Sequence, residues 1–182
     1  MVILDSIITK CLPLLPKWFA RPFSKPYVAG ETIEEALLNI KGLNLRGLSA
    51  TVDILGEHVE DIQIASEITS QYCAIYEEID KNSLDCTVSV KPTHIGLNIS
   101  LSEAVANMLS IVKKASEFGN FLRIDMENSD YTEQTFSIYK ECKNVYGNVG
   151  VAIQAYLYRS ENDIETLGSN QFNSRICKGI YK

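Results

Sequence analysis

Asp53, Lys91, Asp125 and Gln154 each stand at or near the C-terminal end of a predicted β-strand. Two carboxylates, an ammonium and an amide at one rim of a parallel array can converge on a single ligand. Inside an all-parallel sheet covered on both faces, such groups would be poorly placed. Arg175 continues the series, but it precedes its predicted strand end by several residues, so strand parity does not set its role. The other chemistry-bearing residues form no comparable set. His58 and His94 are the only histidines and fall on separate segments, which argues against a metal site and for exposed or capping roles. Cys11, Cys73, Cys86, Cys142 and Cys177 contain no CxxC pair and read as buried thiols of a reducing cytoplasm. Tyr72 and Tyr76, four apart, read as a helix packing stripe, and Lys140, Glu141 and Lys143 as a solvated helix face.

These groups must be held by a chain of 182 residues, about one domain's worth, with 46% hydrophobic and 22% charged residues. That is enough apolar side chain to offset the entropy of ordering. A net charge of -6 gives no sequence-wide basic footprint and argues against general nucleic-acid binding. No apolar run approaches the ~20 residues that span a bilayer. Near the start, Val2, Ile3, Leu4, Ile7, Ile8, Cys11, Leu12 and Leu15 recur at helical spacing, and Asp5 argues against a secretory signal. Pro13, Pro16, Pro22 and Pro26 then interrupt the helix, which makes residues 1–30 a helical, proline-rich appendage and residues 31–182 the regular domain.

From Gly30 onward, helix and strand alternate. Thr32 caps a helix carrying Ile33, Ala36, Leu37, Ile40 and Leu43, which Gly47 ends. The predicted strands are 48–55, 86–91, 121–126, 149–154 and 174–181. The helices between them are 59–80, one capped by Ser102 and running to about Phe118, 132–145 and 161–167. Strand and helix in repetition imply parallel strands joined by crossover helices. An open doubly wound sheet fits this pattern, but it usually carries a glycine-rich loop after its first strand. Here that position reads Asp53-Ile-Leu-Gly-Glu-His58, and no GxGxxG or Walker sequence occurs. The rim residues favour the alternative, a partial (β/α)8 barrel of about five parallel strands. Lys91, Asp125, Gln154 and Arg175 lie 34, 29 and 21 residues apart. Eight units of that size would need a chain of about 270 residues, so the sequence reads as a barrel truncated after its fifth strand. The free edges of such a half-barrel favour self-association or a complementary chain.

Five short strings occur in one order: Tyr27-Val-Ala-Gly-Glu31, Thr51-Val-Asp-Ile-Leu-Gly-Glu57, Ile124-Asp-Met-Glu127, Ile153-Gln-Ala-Tyr-Leu157 and Arg175-Ile-Cys-Lys-Gly-Ile-Tyr181. Together they resemble the opening of the proline dehydrogenase barrel, over its first five units. The resemblance implies FAD-dependent oxidation of L-proline to 1-pyrroline-5-carboxylate, with a quinone-type electron acceptor. It also implies a cytoplasmic enzyme, peripheral to the inner membrane when complete. Carried over residue by residue, it makes Asp125 and Arg175 catalytic and Lys91 substrate-binding. Met126, Gln154, Arg175, Lys178, Gly179 and Ile180 become the cofactor-binding set, with Arg175 near the flavin N5. Ile180 is larger than the residue usual there. The paired arginines of the family's last helix have no counterpart among Arg21, Arg46, Arg123, Arg159 and Arg175. Two expectations follow: the N-terminal portion of a proline dehydrogenase, inactive as this fragment alone, or a non-catalytic half-barrel subunit.

Overall fold

The computed structural model describes residues 28–168 and 172–180. The amphipathic segment at residues 2–15 and the four early prolines lie outside the described residues. The chain divides into two compact units, Met1–Gly47 and Leu48–Lys182.

In the first unit, α1 (Ile33–Asn44) starts at Thr32, whose hydroxyl accepts the Glu35 N–H at 3.3 Å. Glu35 reaches back in turn to the Glu31 N–H at 2.9 Å. This near-reciprocal arrangement satisfies two donors that a helix start would otherwise strand. Glu34 and Glu35 in the first turn and Lys41 in the last turn follow the helix dipole. Ile33, Ala36, Leu37, Ile40 and Leu43 are its shielded stripe, as their spacing predicts.

The second unit is built from β1 (Ala50–Val52), α2 (Ile62–Lys81), β2 (Cys86–Val90), α3 (Leu101–Glu117), β3 (Leu122–Ile124), α4 (Thr132–Val145), β4 (Val149–Gln154), α5 (Ser160–Leu167) and β5 (Ser174–Cys177). The strands form one sheet in the order β1-β2-β3-β4-β5, and every neighbouring pair is parallel. Sequential order with a helix at each crossover is the winding of a barrel; a doubly wound sheet reverses its strand order. The sheet is a curled half-barrel.

Register fixes what each face carries, because paired residues of parallel strands point to the same side. One face holds Cys86, Val88, Val90, Leu122, Ile124, Val149, Val151 and Ile153, each at most 3% exposed. The helices supply the matching apolar stripes: Ala65, Ile68, Tyr72, Ile75, Tyr76 and Ile79 on α2, then Ala104, Met108, Ile111, Val112 and Ala115 on α3. Burying each large side chain contributes about 1.5–3 kcal/mol. The opposite face, the lumen of the barrel, carries Thr51, Thr87, Ser89, Arg123, Gly150, Ala152, Gln154, Arg175 and Cys177. It is polar along most of its length.

Several element bounds differ from the sequence expectation. β1 covers Ala50–Val52 rather than 48–55, because among the described residues β1 has one neighbour and β2 supplies it with partners only from Cys86 to Val88. β3 stops at Ile124 and β5 at Cys177. Ser100, not Ser102, caps α3: Ser100 is extended and its hydroxyl accepts the Glu103 N–H at 3.2 Å, while Ser102 is already helical. Of the described cysteines, Cys86 and Cys142 are buried, whereas Cys73 and Cys177 are half-exposed, contrary to the reading of all as buried. Among the described residues, no helix is long and apolar enough to cross a membrane.

Candidate functional site

The strand ends place their polar groups at one rim. Directly after β1, Asp53 pairs with the ammonium of Lys91, which directly follows β2. Tyr72, fully buried on α2, donates its hydroxyl to Asp53 Oδ1 at 2.8 Å. Burial, and then the Asp53 charge, push the Tyr72 hydroxyl well above its ordinary range, so it stays a donor. Tyr72 therefore does more than pack: it orients the carboxylate that holds Lys91.

Directly after β3, the backbone N–H of Asp125 bonds to the Val90 carbonyl at 2.9 Å, which fixes the start of the loop on β2. Its carboxylate accepts from Arg175 Nη2 at 2.6 Å. Arg175 comes from β5, with β4 between, and its register partner on β4 is the small Ala152. The guanidinium can thus lie across β4, and the structure brings Asp125 and Arg175 together while Lys91 belongs to a separate pair. Deeper in the lumen, Arg123 spans the same strands, donating to Val151 O at 3.3 Å, Asn173 O at 3.2 Å and Asn173 Oδ1 at 2.6 Å. Burial, and then the charge of Arg175, lower its pKa.

Gln154 ends β4 and is 3% exposed. Its Nε2 donates to the Glu127 carbonyl, and its Oε1 is buried without a partner among the described residues. That orphaned acceptor faces Gly179, where an added Cβ would lie 3.0 Å from it. Gly179 has φ +93, but the space beside it is filled by the Tyr156 ring, 1.9 Å from the same Cβ position. Lys178 and Ile180 are exposed, and Met126 is 7% exposed. A buried acceptor with no donor among the described residues, on the same sheet face as a half-exposed guanidinium, suits the polar ring edge and negative charge of a flavin. The residues present fit such a group.

Other side chains at the rim were less legible. Glu127 is fully buried and accepts from Thr93 N at 2.9 Å and from the Thr93 hydroxyl at 2.5 Å. Burial raises its pKa, and the two Thr93 bonds oppose that shift. Glu127 stands in the string Ile124-Asp-Met-Glu127, but its burial depends on Thr93, 34 residues earlier in the chain. His94 is buried at 5% exposure rather than exposed or capping, because its ring sits edge-on to Tyr72 and against Gly56. Lys143 bonds to the Gly147 carbonyl and closes the turn into β4, so it is not merely a solvated charge.

Comparison with known proteins matches this architecture. A family model for proline dehydrogenase matches residues 36–176. Proline dehydrogenase 1 of Bacillus subtilis (strain 168) is 37% identical over 159 residues, covering 87% of this chain and 53% of its own. Proline dehydrogenase 2 of the same organism is 34% identical, covering 91% of this chain and 54% of its own. Proline dehydrogenase of Deinococcus radiodurans is 29% identical, covering 85% of this chain and 52% of its own. The chain thus spans about half the length of these curated relatives. In fold it resembles proline utilization A from Bdellovibrio bacteriovorus, a crystal structure of the protein inactivated by N-propargylglycine. The TM-score there is 0.75 at 24% identity, over 84% of this chain and 20% of that one. By the matched span and the identities, the chain belongs to the proline dehydrogenase family.

Proposed function

We propose that this chain forms the first half of an FAD-dependent proline dehydrogenase site, which oxidises L-proline to 1-pyrroline-5-carboxylate and passes electrons to a quinone-type acceptor. The observation that carries the reading is the polar lumen face, which bears both the Asp125–Arg175 pair and Gln154, whose Oε1 has no partner among the described residues. Bound FAD would supply the acceptor for the hydride that leaves proline.

The chain's own residues bind and orient. Lys91 offers a cation to the substrate, and Asp53 and Tyr72 hold that cation in place. Arg175 holds a fixed positive charge that favours negative charge on the reduced cofactor, with Asp125 setting its direction. Gln154 has its Nε2 committed to the Glu127 carbonyl, which leaves the buried Oε1, on the side of Gly179, as the acceptor it offers. Lys178, Gly179 and Ile180 follow β5 and would hold the phosphate and ribose portion, and Met126, 7% exposed, would contact the ring system.

The test joins this chain to the second half of the Bacillus subtilis relative and measures flavin absorbance and proline-dependent reduction of an artificial acceptor. A yellow protein that reduces the acceptor only with proline is expected. A joined protein that folds and binds FAD but ignores proline, or that binds no FAD, overturns the reading.

A further inference from the structure

Glu127 has no ion-pair partner among the described residues, although its side chain is fully buried. A buried carboxylate without a cation is costly, so its placement needs a reason beyond packing. Both of its oxygens are used by one residue, Thr93, through its backbone N–H and its hydroxyl. Thr93 in turn collects the preceding loop. Its hydroxyl oxygen accepts the His58 N–H at 3.0 Å, and its carbonyl accepts the Val59 N–H at 3.0 Å. On the other side, the Glu127 carbonyl accepts from Gln154, whose own carbonyl accepts the Ser160 hydroxyl.

The bonds therefore run without a break from residues 58 and 59 to 93, 127, 154 and 160. The first two steps each join the loop after one strand to the loop after the next, the third joins the loop after β3 to the last residue of β4, and the fourth ties the start of α5 to that strand end. Two of the members sit two residues beyond rim groups: Thr93 follows Lys91, and Glu127 follows Asp125. The 3-10 turn Pro92–Ile95, which carries Thr93, begins directly after Lys91, and the His94 N–H bonds to the Lys91 carbonyl at 3.1 Å. Movement of Thr93 would therefore move the root of the Lys91 side chain.

We infer that Glu127 and Thr93 are positioning residues, a buried clasp that ties the first four rim loops together and fixes Lys91 against Asp53. The importance of Lys91 rests on the function proposed above, but the clasp itself is a property of the fold and is tested without flavin or proline. Thr93→Val keeps the shape and the backbone bond while removing the hydroxyl; Thr93→Ser keeps the hydroxyl.

The experiment combines amide hydrogen exchange with competitive acetylation of lysines, using exposed Lys81 on α2 as the internal reference. In Thr93→Val, the His58 amide is expected to exchange at least tenfold faster and Lys91 to label severalfold faster relative to Lys81. Amides in the middle of α2 and α3 stay unchanged, and Thr93→Ser behaves as wild type. Wild-type labelling of Lys91 in folded Thr93→Val overturns the inference. Should the variant not fold, the wild-type chain decides. The His58, Val59 and Thr93 amides must open together with one free energy, and exchange of His58 at the rate of a free loop overturns the clasp.

Discussion

Arg175 Nη2 lies 2.6 Å from Asp125 Oδ1, so an edge-strand guanidinium is aimed by a carboxylate fifty residues earlier in the chain. The Arg175 side chain is 55% exposed and that of Asp125 is 15% exposed. Such a pair is a weak contributor to stability, about 0–1 kcal/mol. Its worth lies in direction, because the carboxylate fixes where the positive charge sits over the lumen.

Arg175→Met is accordingly expected to leave the midpoint of urea unfolding nearly unchanged. In the barrel completed with the second half of the relative, turnover falls on the order of a hundredfold, as when one preorganised electrostatic group is removed. Steady-state kinetics beside urea titration checks both halves of the statement.

Lys91→Ala should separate from Arg175→Met. On the proposed function it removes a cation that would meet the substrate, so in the completed barrel the proline KM is expected to rise while the flavin content stays near wild type. Flavin absorbance per chain, measured with the KM, checks it. Equal loss of flavin in the two variants would show that their roles do not differ.

Tyr72→Phe removes the hydroxyl that Asp53 accepts at 2.8 Å and leaves the buried ring in place. The expected loss is about 0.5–1.5 kcal/mol in chemical denaturation, the scale of one hydrogen bond. Lys91→Ala combined with Tyr72→Phe should be non-additive, since both act on the same carboxylate.

At Gly56, an added Cβ would lie 2.2 Å from His94 Nε2. Gly56→Ala therefore pushes a buried ring that has Tyr72 on another side. A cost of about 1–3 kcal/mol is expected, as for overpacking in general, and a thermal melt reads it.

Stability should also fall in mild acid. Burial is the main cause that lowers the His94 pKa, with Lys91 acting in the same direction, while Asp53, a bond to the Ile54 backbone and Glu57 oppose them. A histidine depressed in the folded state contributes stability that is present above its unfolded value, about 6.5, and is lost as pH falls through the folded value. Urea midpoints measured from pH 8 to pH 5 should decline over the acid part of that range, and His94→Gln should flatten the decline.

Much of the architecture was legible because helix and strand periods differ and the caps are strong. Thr132–Val145 and Val149–Gln154 match the expected bounds, and Thr32 caps α1 as its type and position imply. β1 was overextended because a β-branched run describes a strand's capacity, whereas its length depends on the partner beside it. The Ser100 cap was written as Ser100-Leu-Ser-Glu103, and the nearer Ser102 competed with it. At the rim, Lys91, Asp125 and Gln154 were visible as polar groups ending apolar runs. Glu127 and His94 were not, since the burial of a polar side chain is decided by contacts distant in sequence: Thr93 for the first, Gly56 and Tyr72 for the second.

The lumen face carries Thr51, Thr87, Ser89, Arg123 and Arg175 where a filled barrel would carry branched apolar side chains. Its concave side is thus a trough suited to water, and the charges along its rim are screened by a high dielectric. A ligand that roofs the trough would expel that water and strengthen the Lys91–Asp53 and Asp125–Arg175 attractions together. Occupancy would then tighten the ends of β1, β2 and β3, and the hold on Arg175 of β5, at the site that receives the ligand.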